Sequence, residues 1–212
     1  MLSLMGLFLS MSGIVGAKKE AVEAALATFA QMKKGRLCPK AKSTEEPDTM
    51  VLLESGGNCN VLYPGEFFDW DEASAYLSSQ LDKPVFSFHI HDEDLWMFDL
   101  YAGGESVARF NPVPDYWDDD LSEEERESWA GDAEVIAARV PGLSAEAIRP
   151  YLKCWDFDEE DPGKAFPDDH FDYQDCWQLC DFLKRVGFVY PIDEAGTVLG
   201  ETYEFSVPEK KR

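Results

Sequence analysis

The chain has 212 residues, long enough to bury about 70% of the surface its unfolded form exposes, so a core can form without disulfide or metal staples. With 45% hydrophobic residues, 13% aromatic residues and a net charge of −23, it reads as globular and acidic, which disfavours nucleic acid and anionic membrane surfaces as partners. Five cysteines leave one unpaired in any disulfide scheme and follow no secreted framework, so a reducing cytoplasm is the expected compartment.

In chain order, the apolar residues Leu4 to Ser12 predict a short strand. Lys18 and Lys19 follow the apolar run, whereas a signal peptide carries its charge ahead of it, so a buried first strand is the expectation. Val22, Ala25, Leu26 and Phe29 recur at i, i+3, i+4 and i+7 and predict a helix over 17–32, stopped at Gly35. The polar stretch 36–48, with Pro39 and Pro47, reads as a loop. Met50–Glu54 and Cys59–Tyr63 flank Ser-Gly-Gly-Asn and predict a hairpin. Asp69, with Glu72 three residues on, resembles a capping box opening a helix to Leu81.

Alternation is sharpest between Pro84 and Asn111. Phe86, Phe88 and Ile90 point one way, and Ser87, His89 and His91 the other. Pairing Ile90 with Trp96 is the register that unites both aromatic sets, leaving Asp92, Glu93 and Asp94 as a three-residue loop. His89 then faces Met97, and Asp99 faces Ser87. For the next strand, Glu105–Phe110, a three-residue loop at Ala102–Gly104 is expected. It places Ser106, Ala108 and Phe110 on the aromatic face and spares Arg109 from burial.

Beyond Asn111 the connector NPVPDYW leads to expected helices at 123–129, capped by Ser122, and at 132–140 and 145–153. Asp172 is expected to cap a last helix to Val186, and Thr202–Val207 to form an edge strand. The fold class expected is α+β. A mostly antiparallel sheet of ferredoxin-like βαββαβ order (residues 1–111) is extended by further strands, and an acidic helical region (112–212) packs on it.

No P-loop, G-x-G-x-x-G, G-x-S-x-G or H-E-x-x-H sequence is present, so catalysis has little support and no cofactor is expected. The alternative is a metal-dependent hydrolase. His89 and His91 lie about 6.6 Å apart on one strand face and, with Asp99, form a candidate site for a divalent transition metal, with Arg109 to hold an anionic substrate group. Ordinary hydrogen-bonded histidines fit the same pattern. Cys176, Cys180, Cys154 and His170 suggest zinc on paper but fit a helix's apolar stripe better. The run from Asp156 lacks the glycine and glutamate of an EF-hand. Cys59 makes a weak candidate nucleophile, dependent on a nearby histidine.

Charge carries the leading expectation. Residues 115–175 hold twenty acidic and five basic side chains, a net −15, whereas residues 18–42 carry a net +5. Tyr116 and Trp117 stand beside Asp118, Asp119, Asp120 and Glu123, the composition of a surface for a basic, partly apolar partner. Trp117 by itself reads first as an anchor docking the helical region onto the sheet, ahead of the interface reading. The expected function is an acidic cytoplasmic binding protein, of inhibitor or immunity type, neutralising a basic protein such as a toxin or nuclease.

Overall fold

One sheet buries apolar side chains on each of its faces, and helices and turns cover both. The computed structural model describes residues 7–41, 49–118 and 120–208. Among these, the strands are β1 (Leu9–Ile14), β2 (Arg36–Lys40), β3 (Thr49–Ser55), β4 (Asn58–Leu62), β5 (Val85–His91), β6 (Leu95–Ala102), β7 (Glu105–Phe110) and β8 (Glu201–Ser206). They form one antiparallel sheet in the order β2-β8-β3-β4-β1-β5-β6-β7. The helices are α1 (Lys19–Met32), α2 (Trp70–Leu81), α3 (Glu123–Ser128), α4 (Ala133–Ala137) and α5 (Gln178–Arg185). None is long and apolar enough to cross a membrane.

One face buries Val22, Leu26 and Phe29 of α1 and Ala73 and Leu77 of α2 against Met50, Leu52, Val61 and Tyr203. The other buries Phe86, Phe88, Ile90, Trp96, Phe98 and Phe110 under a C-terminal layer that includes Ile136, Tyr151, Leu179 and Phe182. The second core therefore draws on both halves of the sequence.

The central hairpin takes the expected register: Ile90 pairs with Trp96, His89 with Met97 and Ser87 with Asp99. Asp92 and Glu93 turn it with φ of 51° and 65°. At the next turn the expected three-residue loop is corrected, and the expected facing of Ala108 and Phe110 is reached only beyond a bulge. Gly103 and Gly104, at φ of 62° and 89°, make a two-residue turn in which Ala102 pairs with Glu105. A bulge beside Leu100 and Tyr101 absorbs one residue, after which Ala108 faces Leu100 and Arg109 faces Asp99. Ser106 is thus not on the aromatic face. Its hydroxyl donates to Asp99 Oδ1 at 2.6 Å.

Several local expectations are corrected. The first strand lies later, at Leu9–Ile14, and residues 1–6 fall outside the described residues. Arg36–Lys40 is a strand rather than loop, because β8 supplies its pairing partners from 162 to 170 residues away; residues 42–48 lie outside the described residues. Accordingly β8 is not an edge but lies between β2 and β3. The left-handed residue ending α1 is Lys34 (φ 63°), not Gly35. Glycine is needed at 35 because a Cβ there would lie 1.9 Å from the Ser206 carbonyl. Asp69 makes no side-chain cap to α2; it and Glu72 instead hold Lys33 at the end of α1.

In the C-terminal layer, Ser122 and Glu125 do form a capping box on α3, and Asp132 Oδ1 caps α4. Residues 145–153 wind as two 3-10 turns rather than a helix, since Pro150 offers no N–H. The last helix opens at Gln178 rather than beside Asp172, because Gln174 sits at φ 69° and interrupts it.

Candidate functional site

β5 carries its polar side chains on the face that α2 covers, and each meets a different environment. His91, the last residue of β5, receives three aromatic rings edge-on: Phe8 at 5.0 Å, Trp117 at 4.9 Å and Tyr116 at 5.7 Å between centroids. Tyr116 and Trp117 also pack on each other at 4.9 Å. Trp117 is 53% exposed and Phe8 42% exposed, so this cluster is open to solvent. Trp117 enters neither buried core and meets the sheet at His91.

Local hydrogen bonds hold the connector in place. Buried Asn111 accepts from Val113 N, Tyr116 N donates to Val113 O, and Asp118 Oδ1 accepts from Asp120 N. Arg126 clasps Asp115, and the Tyr116 hydroxyl donates to Asp94. Asp92, Glu93 and Asp94 of the hairpin turn, and Asp118, Asp120 and Glu123 after the connector, are all exposed around or just beyond the rings. Asp119 lies outside the described residues. In the sequence Phe8 lies 83 residues before His91, and Trp117 26 residues after it, and no local signal could have joined them.

Two residues back, His89 is buried. Its ring stacks on Trp70 at 4.4 Å and 10°, and Nδ1 bonds Ser10 Oγ at 3.0 Å. Further along, Ser87 donates to Asp71 Oδ1 at 2.6 Å, and Ser12 Oγ bonds both Tyr63 Oη and Ser74 Oγ, at 2.8 and 2.7 Å. These bonds tie α2 to the sheet and satisfy polar groups that burial would otherwise penalise. His89 and His91 have ring centroids 5.8 Å apart, and Asp99 turns to Ser106. Arg109 binds Ser128 and stacks on Trp129 at 4.2 Å. Among the described residues no three His, Cys, Asp or Glu side chains converge as metal ligands. All five cysteines are free, and burial pushes the Cys59 thiol up to about 12, so it is no thiolate at neutral pH.

Burial, reinforced by the neighbouring His91, holds the His89 imidazole down to about 4. The unfolded chain therefore binds the extra proton first, and stability contributed by neutral His89 is lost as pH falls from about 6.5 towards 4. This loss is expected to approach about 3 kcal/mol, with His89→Asn flattening the dependence in urea titrations between pH 7 and 4.5. Asp71 and Asp99, raised by burial, act in the opposite sense, favouring the folded state as pH falls into their range.

Charge is partitioned by the sheet. Lys18 pairs with Glu54 at 2.6 Å, Lys19 with Glu201 at 2.8 Å, and Arg36 with Glu204. Neither these acids nor Asp69 and Glu72, which hold Lys33, belong to the 115–175 segment, so these cations are neutralised by nearby strands and the start of α2. At the opposite end of β1, a cleft of about 410 Å³ opens between Gly16, Gly56, Gly57 and Gly142, with Asn58 bridging Gly16 N and the Gly187 carbonyl.

No protein-family model, curated protein or solved structure matches the chain.

Proposed function

We propose that the chain is a cytoplasmic, non-enzymatic binding protein of inhibitor or immunity type. It engages a basic protein partner, such as a toxin or nuclease, through Tyr116, Trp117, Asp118, Asp119, Asp120 and Glu123. In this reading β3-β4-β1-β5 with α1 and α2 is a ferredoxin-like scaffold, and the acidic layer after residue 111 carries the interface. The observation that carries the reading is the exposed ring cluster around His91, set among carboxylates of the hairpin turn and the connector. Exposed aromatics supply contact area at small entropic cost, while surrounding carboxylates steer a cation-rich partner and exclude an acidic one.

The test is stopped-flow association with a panel of small basic folded proteins at two ionic strengths. Asp118→Lys/Asp120→Lys is expected to slow association at low salt by tenfold or more, and added salt to shrink that difference. An association rate that ignores both the charge reversal and the salt would remove this surface as the interface.

A further inference from the structure

The face of β5 and β6 that carries His91 continues past the aromatic cluster. Met97, Asp99 and Tyr101 on β6 are only half-buried there. Trp70 lies over His89, and next to Trp70 on the first turn of α2 stands Asp71, bonded to Ser87. Ser87 pairs across the sheet with Asp99, which brings two carboxylates to the same stretch of strand. Among the described residues neither has an ion-pair partner. The cation nearest in register, Arg109, is drawn away onto Ser128 and Trp129. Desolvation holds both carboxyls above the usual range, opposed at Asp71 by the Ser87 hydroxyl and at Asp99 by the Ser106 hydroxyl and the charge of Arg109.

From His91 to Ser87 is four residues of strand, about 13 Å. Side chains four apart on one face of an extended peptide span the same distance. We infer that this strip seats an extended segment of the basic partner carrying two arginines at i and i+4. One guanidinium lies on the Trp117–Tyr116 cluster, the other between Asp71 and Asp99, and Trp70 and Met97 lie under the segment linking them. Arginine fits both ends, because its planar group stacks on an aromatic face and forks onto a carboxylate. The inference rests on the binding-protein reading above and adds the chemistry and spacing of what is bound.

The experiment uses the full chain and blocked ten-residue peptides of identical composition, each with two arginines spaced i,i+2, i,i+4 or i,i+6, titrated by tryptophan fluorescence at low ionic strength. The i,i+4 peptide is expected to bind about tenfold tighter than the others. The near-isosteric pair Asp71→Asn/Asp99→Asn is expected to erase that preference. Trp117→Ala, a change at an exposed ring, is expected to weaken the i,i+4 peptide to the level of the other two. Equal binding of all three spacings, no binding of any, or a preference that survives these variants would overturn the inference. Basic folded proteins that still associate through Asp118 and Asp120 would then leave the binding-protein reading standing alone, whereas loss of both responses would remove both.

Discussion

Replacing Phe182 with alanine is expected to lower the free energy of unfolding by about 3–5 kcal/mol. Phe182 is fully buried on α5, with its ring 5.3 Å from Phe98, nearly parallel at 11°, and 5.2 Å from Trp96. It also meets Phe88 at 6.3 Å and Tyr151 at 5.6 Å. Removing it leaves a void at the junction of sheet and C-terminal layer that rigid aromatic neighbours cannot fill. Urea unfolding should show a lower midpoint with an unchanged slope, and fluorescence and far-ultraviolet dichroism should move together. A loss below about 1 kcal/mol would mean that α5 does not pack on β5 and β6 as described.

Arg185→Met is expected to cost about 3–5 kcal/mol, because it strands a buried carboxylate. Asp169, with its side chain 3% exposed, is clasped from three directions. Arg185 Nη2 donates at 2.9 Å, the Tyr151 hydroxyl at 2.7 Å and Phe166 N at 2.9 Å. Asp168 shares the same guanidinium at 2.8 Å, but its side chain is 75% exposed and water can replace that contact. Asp168→Asn should therefore change stability by about 0.5 kcal/mol or less. The double variant Arg185→Met/Asp169→Asn should recover part of the single variant's loss, and a double-mutant cycle showing purely additive costs would contradict this account of the clasp.

What the sequence disclosed depended on how local the cause was. The β5–β6 register is legible because Phe86, Phe88 and Ile90 must share a face with Trp96, Phe98 and Leu100, and a slip of one residue would expose all of them. The apolar stripe of α1 is legible for the same reason of period. β2 is not, since Arg36, Cys38 and Lys40 carry no apolar pattern and Pro39 argues against a strand; only distant β8 makes it one. The start of α5 depends on the backbone at Gln174, which the sequence does not announce. At the candidate site, Tyr116, Trp117 and the acids after them stand out in composition. Their contact with Phe8 and His91, and the place of Asp71 beside Asp99, come from pairings that bring distant segments together.

The insertion of β8 between β2 and β3 orders events in time. While the chain is being synthesised, β3 can close a hairpin with β4 as soon as both have emerged, but its other edge stays open until residue 201 and its successors arrive. That edge exposes the backbone of the apolar run Met50 to Leu53, a ready template for pairing with another nascent chain. β2 waits through the same interval with no strand beside it. Vulnerability to aggregation is thus concentrated in the period before the distant strand docks, and a ribosome pause just ahead of residue 201 would prolong it.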